Sequence, residues 1–438
     1  MCKLLELREF YTITCNKDFA EDENYKYLDP EAFQELTAFI REFKVDDETA
    51  DALEFMSLYR KRNVGDVVSV KNYVGLIQMK NGYQIQVLPK ISFGSEDSGN
   101  RETKRVFLKM LRSMKNFPAK AFNDAGLKVD RMNLYEIFIS MYLQEVRQLI
   151  KRGIRSDYNS QEDNLKFFKG KLLTAQHIKA NIVHKERFYL AYDEFSTNRA
   201  ENRLIKATLI KLQKLTGSAE NSKEIRQLLI SFEMVEPSVN YTKDFSEVKI
   251  DRSTKDYEML MKWSKVFLLN KSFTAFSGTT TSRALLFPME SVFESYVARE
   301  IKRILTPEGW EVSCQDKGHY LFTEPRKQFA LHPDIVCTRG NRTVIMDTKW
   351  KRLTDNERSN YGISQIDMYQ MYAYSKKYET PEIWLLYPMN DEMRGHSEIK
   401  FDSGDGTVVR LHFVDVANIE QSLNELKVNL YIDREYKS

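Results

Sequence analysis

Leu331-His332-Pro333-Asp334-Ile335-Val336-Cys337, the polar turn Thr338-Arg339-Gly340-Asn341-Arg342, and Thr343-Val344-Ile345-Met346-Asp347-Thr348-Lys349-Trp350-Lys351 decide the fold. Ile335-Val336-Cys337 and Val344-Ile345-Met346 are apolar, β-favouring runs, and Arg339-Gly340-Asn341 carries turn chemistry. An antiparallel hairpin is predicted, with Asp334 and Asp347 in neighbouring positions. Two carboxylates that close repel one another unless a cation sits between them. Hard oxygen ligands with open water positions suit Mg²⁺ or Mn²⁺. Strand alternation puts Asp347 and Lys349 on one face and makes the backbone carbonyl of Thr348 a further candidate ligand. Lys349 is a point charge that can orient an attacking hydroxide.

The pairing of Pro-Asp with Asp-x-Lys across a turn resembles the PD-(D/E)xK nucleases. Glu247-Val248-Lys249 has the same triplet spacing but is assigned no role. Working outward, Glu290 and Glu294 lie four apart on one face of a predicted helix. Glu294, between Phe293 and Tyr296, is the choice for an added carboxylate on the metal. Gln370 and Tyr374 are also four apart on a helix and are expected to brace Lys349 or hold DNA phosphates. Tyr369, Met371 and Tyr372 are expected in the core, and His332 is a structural neighbour. Lys351 and Arg352 follow the catalytic strand, where a phosphate backbone would lie. The catalytic set is therefore Asp334, Asp347 and Lys349, supported by Glu294 and Gln370. Tyr374, Lys351 and Arg352 are the candidate DNA contacts.

The 438 residues suggest two or three domains. With 42% hydrophobic and 29% charged residues, the composition is that of a soluble globular protein. A net charge of +3 confines any nucleic-acid surface to local patches, of which Arg101 to Arg112, Lys166 to Lys171 and Lys349 to Arg352 are the densest. Cys2, Cys15, Cys314 and Cys337 form no CxxC pair, which argues against a zinc, iron–sulfur or disulfide framework. No apolar run suggests a signal sequence or membrane span, and a cytoplasmic location is expected.

The expected fold class is α+β and multidomain. Residues 1–125 read as a β-rich N-terminal domain. Its strands lie around 66–70, 73–79 and 83–88, its hairpin signal is Asn81-Gly82, and residues 92–100 read as a loop. In the strand from Tyr83, Ile85 and Val87 alternate with Gln84 and Gln86. Residues 126–280 read as a mostly helical middle region. Leu134, Ile137, Phe138, Met141, Tyr142, Val146, Leu149 and Ile150 give one apolar helix face that Gly153 ends. A boundary is placed in the Ser/Thr/Gly run 277–282. Residues 281–438 read as an α/β domain: helix, hairpin, helix, strand, strand, helix.

Further strings extend the resemblance over most of the chain. They are Tyr73-Val74-Gly75, Ile85-Gln86-Val87-Leu88-Pro89-Lys90-Ile91, Tyr192-Asp193-Glu194-Phe195-Ser196 and Glu201-Asn202-Arg203-Leu204-Ile205-Lys206, then Leu286-Phe287-Pro288-Met289-Glu290 and Ile363-Ser364-Gln365-Ile366-Asp367. In their order they resemble the McrC family, the nuclease subunits of McrBC modification-dependent restriction systems. The Gln370-to-Tyr374 spacing is similar to an element of RecB-like nucleases. The resemblance implies a restriction-endonuclease-like domain with a mixed central sheet, Mg²⁺ or Mn²⁺, and cleavage of double-stranded DNA. It also implies a partner, an McrB-type AAA+ GTPase hexamer that recognises the modified site and translocates. The subunit docks on that motor through its N-terminal region, for which the hairpins at 65–92 are the candidate, and stimulates GTP hydrolysis. The chain has no Walker A loop of its own, so the motor acts in trans. A motor that reads unmodified or phage DNA, and a RecB-like repair nuclease, stay open as alternatives.

Overall fold

The structure, a computed structural model, describes residues 3–42, 55–79, 82–91, 96–114, 117, 132–252, 254–269, 283–396 and 399–432. Strands Tyr73–Gln78 and Tyr83–Leu88 pair antiparallel around the predicted turn, of which Asn81 lies outside the described residues. Lys3–Arg8 joins Tyr83–Leu88 in parallel, and Arg283–Pro288 closes the other edge antiparallel to Tyr73–Gln78. The last contact ties the start of the C-terminal segment to the N-terminal sheet. It also explains Gly75, whose φ is +143°: a Cβ there would lie 1.9 Å from the carbonyl oxygen of Leu285.

Both faces of strand Tyr83–Leu88 are covered, and Gln84 and Gln86 are buried. Each is bonded to the start of the helix Leu134–Arg152: Gln86 Oε1 accepts from the Leu134 N–H at 2.7 Å, and Asn133 donates to Gln84 Oε1 at 2.9 Å. Bonded in this way, the amides are no burden on the core. The same burial leaves the strands between 65 and 88 few free faces for a partner.

A second sheet orders Tyr25–Tyr27, Thr12–Thr14, Gly65–Val70 and Met56–Lys61. Phe33, Leu36, Phe39 and Ile40 of helix Pro30–Glu42 pack into the core it shares with the first sheet. The stretch read as a loop at 92–100 is in part helical: a helix runs Glu96–Leu111. Its polar first turns look like a loop, but Val106, Phe107, Met110 and Leu111 supply a buried face further on. Helix Leu134–Arg152 forms where the apolar stripe predicts, with Asn133 capping its start and Gly153, at φ +94°, ending it. Helices Ala200–Leu215, Ala219–Ile230 and Glu258–Leu269 pack with it. One core then continues through Phe138, Trp263 and Phe287 into the C-terminal segment. The predicted boundary at 277–282 lies outside the described residues.

Between these helices, strands Asp157–Leu165 and Phe188–Ser196 pair over nine residues each and carry the short strand Lys171–Leu172 and helix Thr174–Ala180. Tyr158, Phe167, Phe168, Ile182, Val183 and Phe195 are all exposed on this unit.

The C-terminal segment is built on a six-stranded mixed sheet in the order Glu311–Cys314, Ile335–Arg339, Arg342–Thr348, Glu382–Pro388, Val408–Val414, Lys400–Asp402. The helices Met289–Leu305 and Ile419–Ile432 cover one face, and Gln365–Lys377 packs on the other. The α+β class expected from the sequence is what the chain adopts.

Candidate active site

Asp334 stands one residue before the strand Ile335–Arg339, and Asp347 lies at the end of Arg342–Thr348. Ile335 pairs with Met346, so the next positions outward are Asp334 and Asp347, opposite one another on the same face. The hairpin therefore makes the juxtaposition that the sequence predicts. Beyond the ladder the strand is held on its other side, where the Lys349 N–H donates to the Leu386 carbonyl at 2.9 Å.

Thr348 holds Asp334. Its backbone N–H and its hydroxyl both donate to Asp334 Oδ2, at 2.7 and 2.6 Å. The sequence reading drew only the carbonyl of Thr348 into the site. The hydroxyl role was missed because the middle position of Asp-x-Lys points away from the face on which the motif is read. Burial raises the Asp334 pKa, against the two bonds from Thr348 that lower it.

Asp347 is almost wholly buried, at 1% exposure. Burial first, and the neighbouring Asp334 second, push its pKa up to about 7. Lys349 Nζ sits 2.6 Å from the buried Asp347 Oδ2 as an ion pair. Burial works against the charge on Lys349, but Asp347, with Asp334 and Asp367, outweighs it and raises the pKa of the lysine. On its far side Lys349 Nζ donates to Gln370 Oε1 at 3.3 Å, and Gln370 Nε2 donates to the Tyr374 hydroxyl at 2.7 Å.

Glu294 approaches from helix Met289–Leu305. Its pKa is raised to about 7, by burial first and by Asp334 second, and Gln315 donates to its Oε1 at 2.9 Å. Gln315 was not foreseen; it is fixed by its own N–H on the Asp334 carbonyl at 2.9 Å. Glu290, one turn earlier, is exposed and instead accepts from Asn72 at 3.4 Å.

Three further expectations change. Tyr374 is buried, and its hydroxyl contacts Gln370 and the backbone of His332. It therefore braces the site from behind and has no surface to offer DNA. Tyr369 and Tyr372 are exposed, whereas Met371 is in the core: the helix turns only its Met371 and Tyr374 side to the sheet. Lys351 is held by Asp367 at 2.7 Å, while Arg352 is exposed.

As a cation site the arrangement fits in its donors. It offers three carboxyl groups within electrostatic reach of one another, Asp334, Asp347 and Glu294. Among the described residues, no three His, Cys, Asp or Glu side chains already close into a metal-binding group. Lys349 occupies the carboxylate that a cation would take.

A family described as McrBC 5-methylcytosine restriction system component matches residues 68–388. The type IV methyl-directed restriction enzyme EcoKMcrBC of Escherichia coli (strain K12) is 23% identical over 281 residues, which cover 60% of this chain and 75% of that one. A chain of the Thermococcus gammatolerans half-complex of McrB AAA+ hexamers with bound McrC superposes at a TM-score of 0.68. It is 20% identical, with 97% of this chain and 100% of that chain covered. At that identity the superposition speaks for the fold, and the family match, which spans well over half of the sequence, speaks for descent. The chain belongs to the family of McrBC 5-methylcytosine restriction system components.

Proposed function

We propose that the chain is the DNA-cleaving subunit of an McrBC-type restriction complex, a Mg²⁺- or Mn²⁺-dependent endonuclease of the PD-(D/E)xK kind. The carrying observation is the Asp334–Asp347 juxtaposition with Lys349 at 2.6 Å from Asp347. Asp334 and Asp347 would hold the cation, with Glu294 and the Thr348 carbonyl completing its shell. The cation, when bound, supplies Lewis acidity at the scissile phosphate.

The chain's own groups do the rest. Thr348 aims Asp334 inward. Lys349 would offer its ammonium to the attacking water and to the charge that grows on the phosphate. Gln370 keeps that ammonium over the sheet edge, and Tyr374 fixes Gln370.

The partner is an McrB-type AAA+ GTPase hexamer, as in the Thermococcus gammatolerans assembly, whose GTP hydrolysis this chain stimulates. We assign the motor contact to the exposed apolar residues of the 157–196 unit, since apolar patches of this kind mark protein contacts. The test of the nuclease reading is Asp347→Asn and Lys349→Met in the reconstituted complex. Plasmid cleavage with Mg²⁺ is expected to vanish, with motor association and GTP hydrolysis retained. Undiminished cleavage by either variant refutes it.

A further inference from the structure

The strand that carries Asp347 and Lys349 runs on into one wall of a groove of about 780 Å³, whose opposite wall is the N-terminal segment around Phe10 and Lys90. The two walls are joined by a buried clamp. Both carboxylate oxygens of Glu9 accept from Trp350 Nε1 at 3.1 Å, and Oε2 also accepts from the Lys90 N–H at 3.0 Å. Lys90 Nζ in turn donates to the Trp350 carbonyl at 3.3 Å. Trp350 follows Lys349 directly, so the N-terminal wall has a fixed position relative to the site.

The groove presents an aromatic ring and two cations. Phe10 is 52% exposed although its backbone is left-handed, at φ +69°. A large residue held in that conformation is costly and marks a position kept for what its side chain does. Its N–H on the Val70 carbonyl, at 3.0 Å, and that of Glu9 on the Leu88 carbonyl, at 3.1 Å, hold it there. Lys90 Nζ lies 4.3 Å from the Phe10 ring centroid. Arg352 is exposed across the groove and makes no ion pair among the described residues. Lys90 has a pKa lowered to about 8, by burial first, with Glu9 opposing and Arg352 adding to the fall. Of the acids about the groove, Glu9 is spent on the clamp, Glu23 lines the wall, and Glu290 accepts from the lining Asn72 and lies within electrostatic reach of Lys90. Arg352 is thus the groove cation left without an ion pair among the described residues, and it faces the same groove as the exposed Phe10 ring.

We propose that the groove is a subsite for one nucleic-acid strand, with its phosphates on Arg352 and Lys90 and an unstacked base on Phe10. The N-terminal segment then forms part of the substrate channel, next to the cleaving groups. This rests on the phosphodiesterase reading above. Base stacking on an exposed aromatic ring combined with cations along the backbone is how single strands are held without sequence preference.

The test uses the full chain. Binding of a fluorescein-labelled oligothymidylate is read by anisotropy in an Asp347→Asn background, and plasmid cleavage is read in the complex without that change. Phe10→Gly removes the ring and relieves the left-handed backbone, so instability does not explain a loss. It is expected to weaken binding at least about fivefold, and Phe10→Trp to restore it. Arg352→Gln is expected to lower the salt dependence of binding by about one phosphate contact. Binding and cleavage unchanged in both Phe10→Gly and Arg352→Gln overturn the subsite alone. Loss of motor association with oligonucleotide binding intact overturns it too, in favour of a protein contact. A parent chain that neither binds nor cleaves overturns the nuclease reading along with it.

Discussion

Thr348→Val isolates the part of the site that was least visible in the sequence. The substitution keeps shape and strand preference and removes one of the two hydrogen bonds on Asp334 Oδ2, the 2.6 Å bond from the hydroxyl. Thr348 is buried, so water does not readily replace it. A hydrogen bond to a charged group is worth about 1.5–3 kcal/mol. At about 1.4 kcal/mol per factor of ten, the ionised form of Asp334 loses roughly ten- to a hundredfold in its favour. Asp334 must be ionised to take a cation, and the hydroxyl is one of the groups that lowers its pKa. The Mg²⁺ concentration for half-maximal cleavage is therefore expected to rise roughly tenfold or more. The acid limb of the rate profile should move to higher pH. The backbone bond at 2.7 Å remains, so near-normal cleavage returns at saturating Mg²⁺. The assay is single-turnover plasmid cleavage by the reconstituted complex across a Mg²⁺ titration at several pH values. Superimposable titrations for variant and parent refute the idea that Thr348 tunes Asp334. Loss of cleavage that Mg²⁺ does not rescue refutes it as well, since the hydroxyl would then act on the reaction itself.

Gln370→Leu removes the acceptor on the far side of Lys349 and is expected to lower the cleavage rate about tenfold, less than Lys349→Met, with the substrate concentration dependence unchanged; equal losses in both variants sink the bracing role. In the metal-free chain, Glu9 titrates at about 7 when folded, against 4.5 when unfolded, because burial raises it. The folded state therefore binds a proton that the unfolded state has released, and stability is full below the unfolded pKa and falls as pH rises through about 7. Calorimetry in EDTA should show a lower Tm at about pH 7.5 than at about pH 5.5, with a smaller difference in Glu9→Gln; parallel behaviour of the two chains contradicts the buried acid. Gly75→Ala would drive a Cβ to within 1.9 Å of the Leu285 carbonyl and should destabilise by several kcal/mol, roughly 3 or more, in urea unfolding. Phe167→Ser with Phe168→Ser should weaken motor association in pull-downs while leaving Tm unchanged, and normal association would place the motor contact elsewhere.

The elements that could be read in the sequence are those whose partners are near in the chain. The hairpin of Asp334 and Asp347 follows from a turn and two apolar runs, and its register follows from alternation. Glu294, Gln370 and Tyr374 follow from four-residue helical spacing, which is fixed by geometry before any packing occurs. Burial is different, because it depends on what arrives from elsewhere. Gln84 and Gln86 are buried by helix Leu134–Arg152, whose N-terminus lies over them and comes from a distant part of the chain. Tyr369 and Tyr372 look like core until the helix is seen to cover the sheet with only one side. The loop-like composition before residue 101 conceals a helix start because its stability comes from packing further along.

The clamp of Glu9 on Trp350 is the extreme case, joining positions 341 residues apart. A lone glutamate in an N-terminal strand end and a tryptophan after a catalytic lysine carry no shared local pattern. Yet the energetics of the site depend on it. Glu9 is buried, and replacing Trp350 would remove the indole donor from both of its oxygens, leaving a carboxylate with unmet demand beside the strand that leads to Lys349. The N-terminal segment and the C-terminal sheet are also bridged by the strand Arg283–Pro288, which pairs with Tyr73–Gln78 and leads straight into the helix that bears Glu294. Two of the carboxylates at the site are thus positioned through contacts that a cut near residue 281 would expose or sever. Loss of cleavage on deleting the first residues is accordingly expected even if the motor docks elsewhere, so such a deletion cannot by itself assign the docking surface. Point changes on the exposed side of the 157–196 unit, which carries no group of the site, separate docking from chemistry where truncation confounds them.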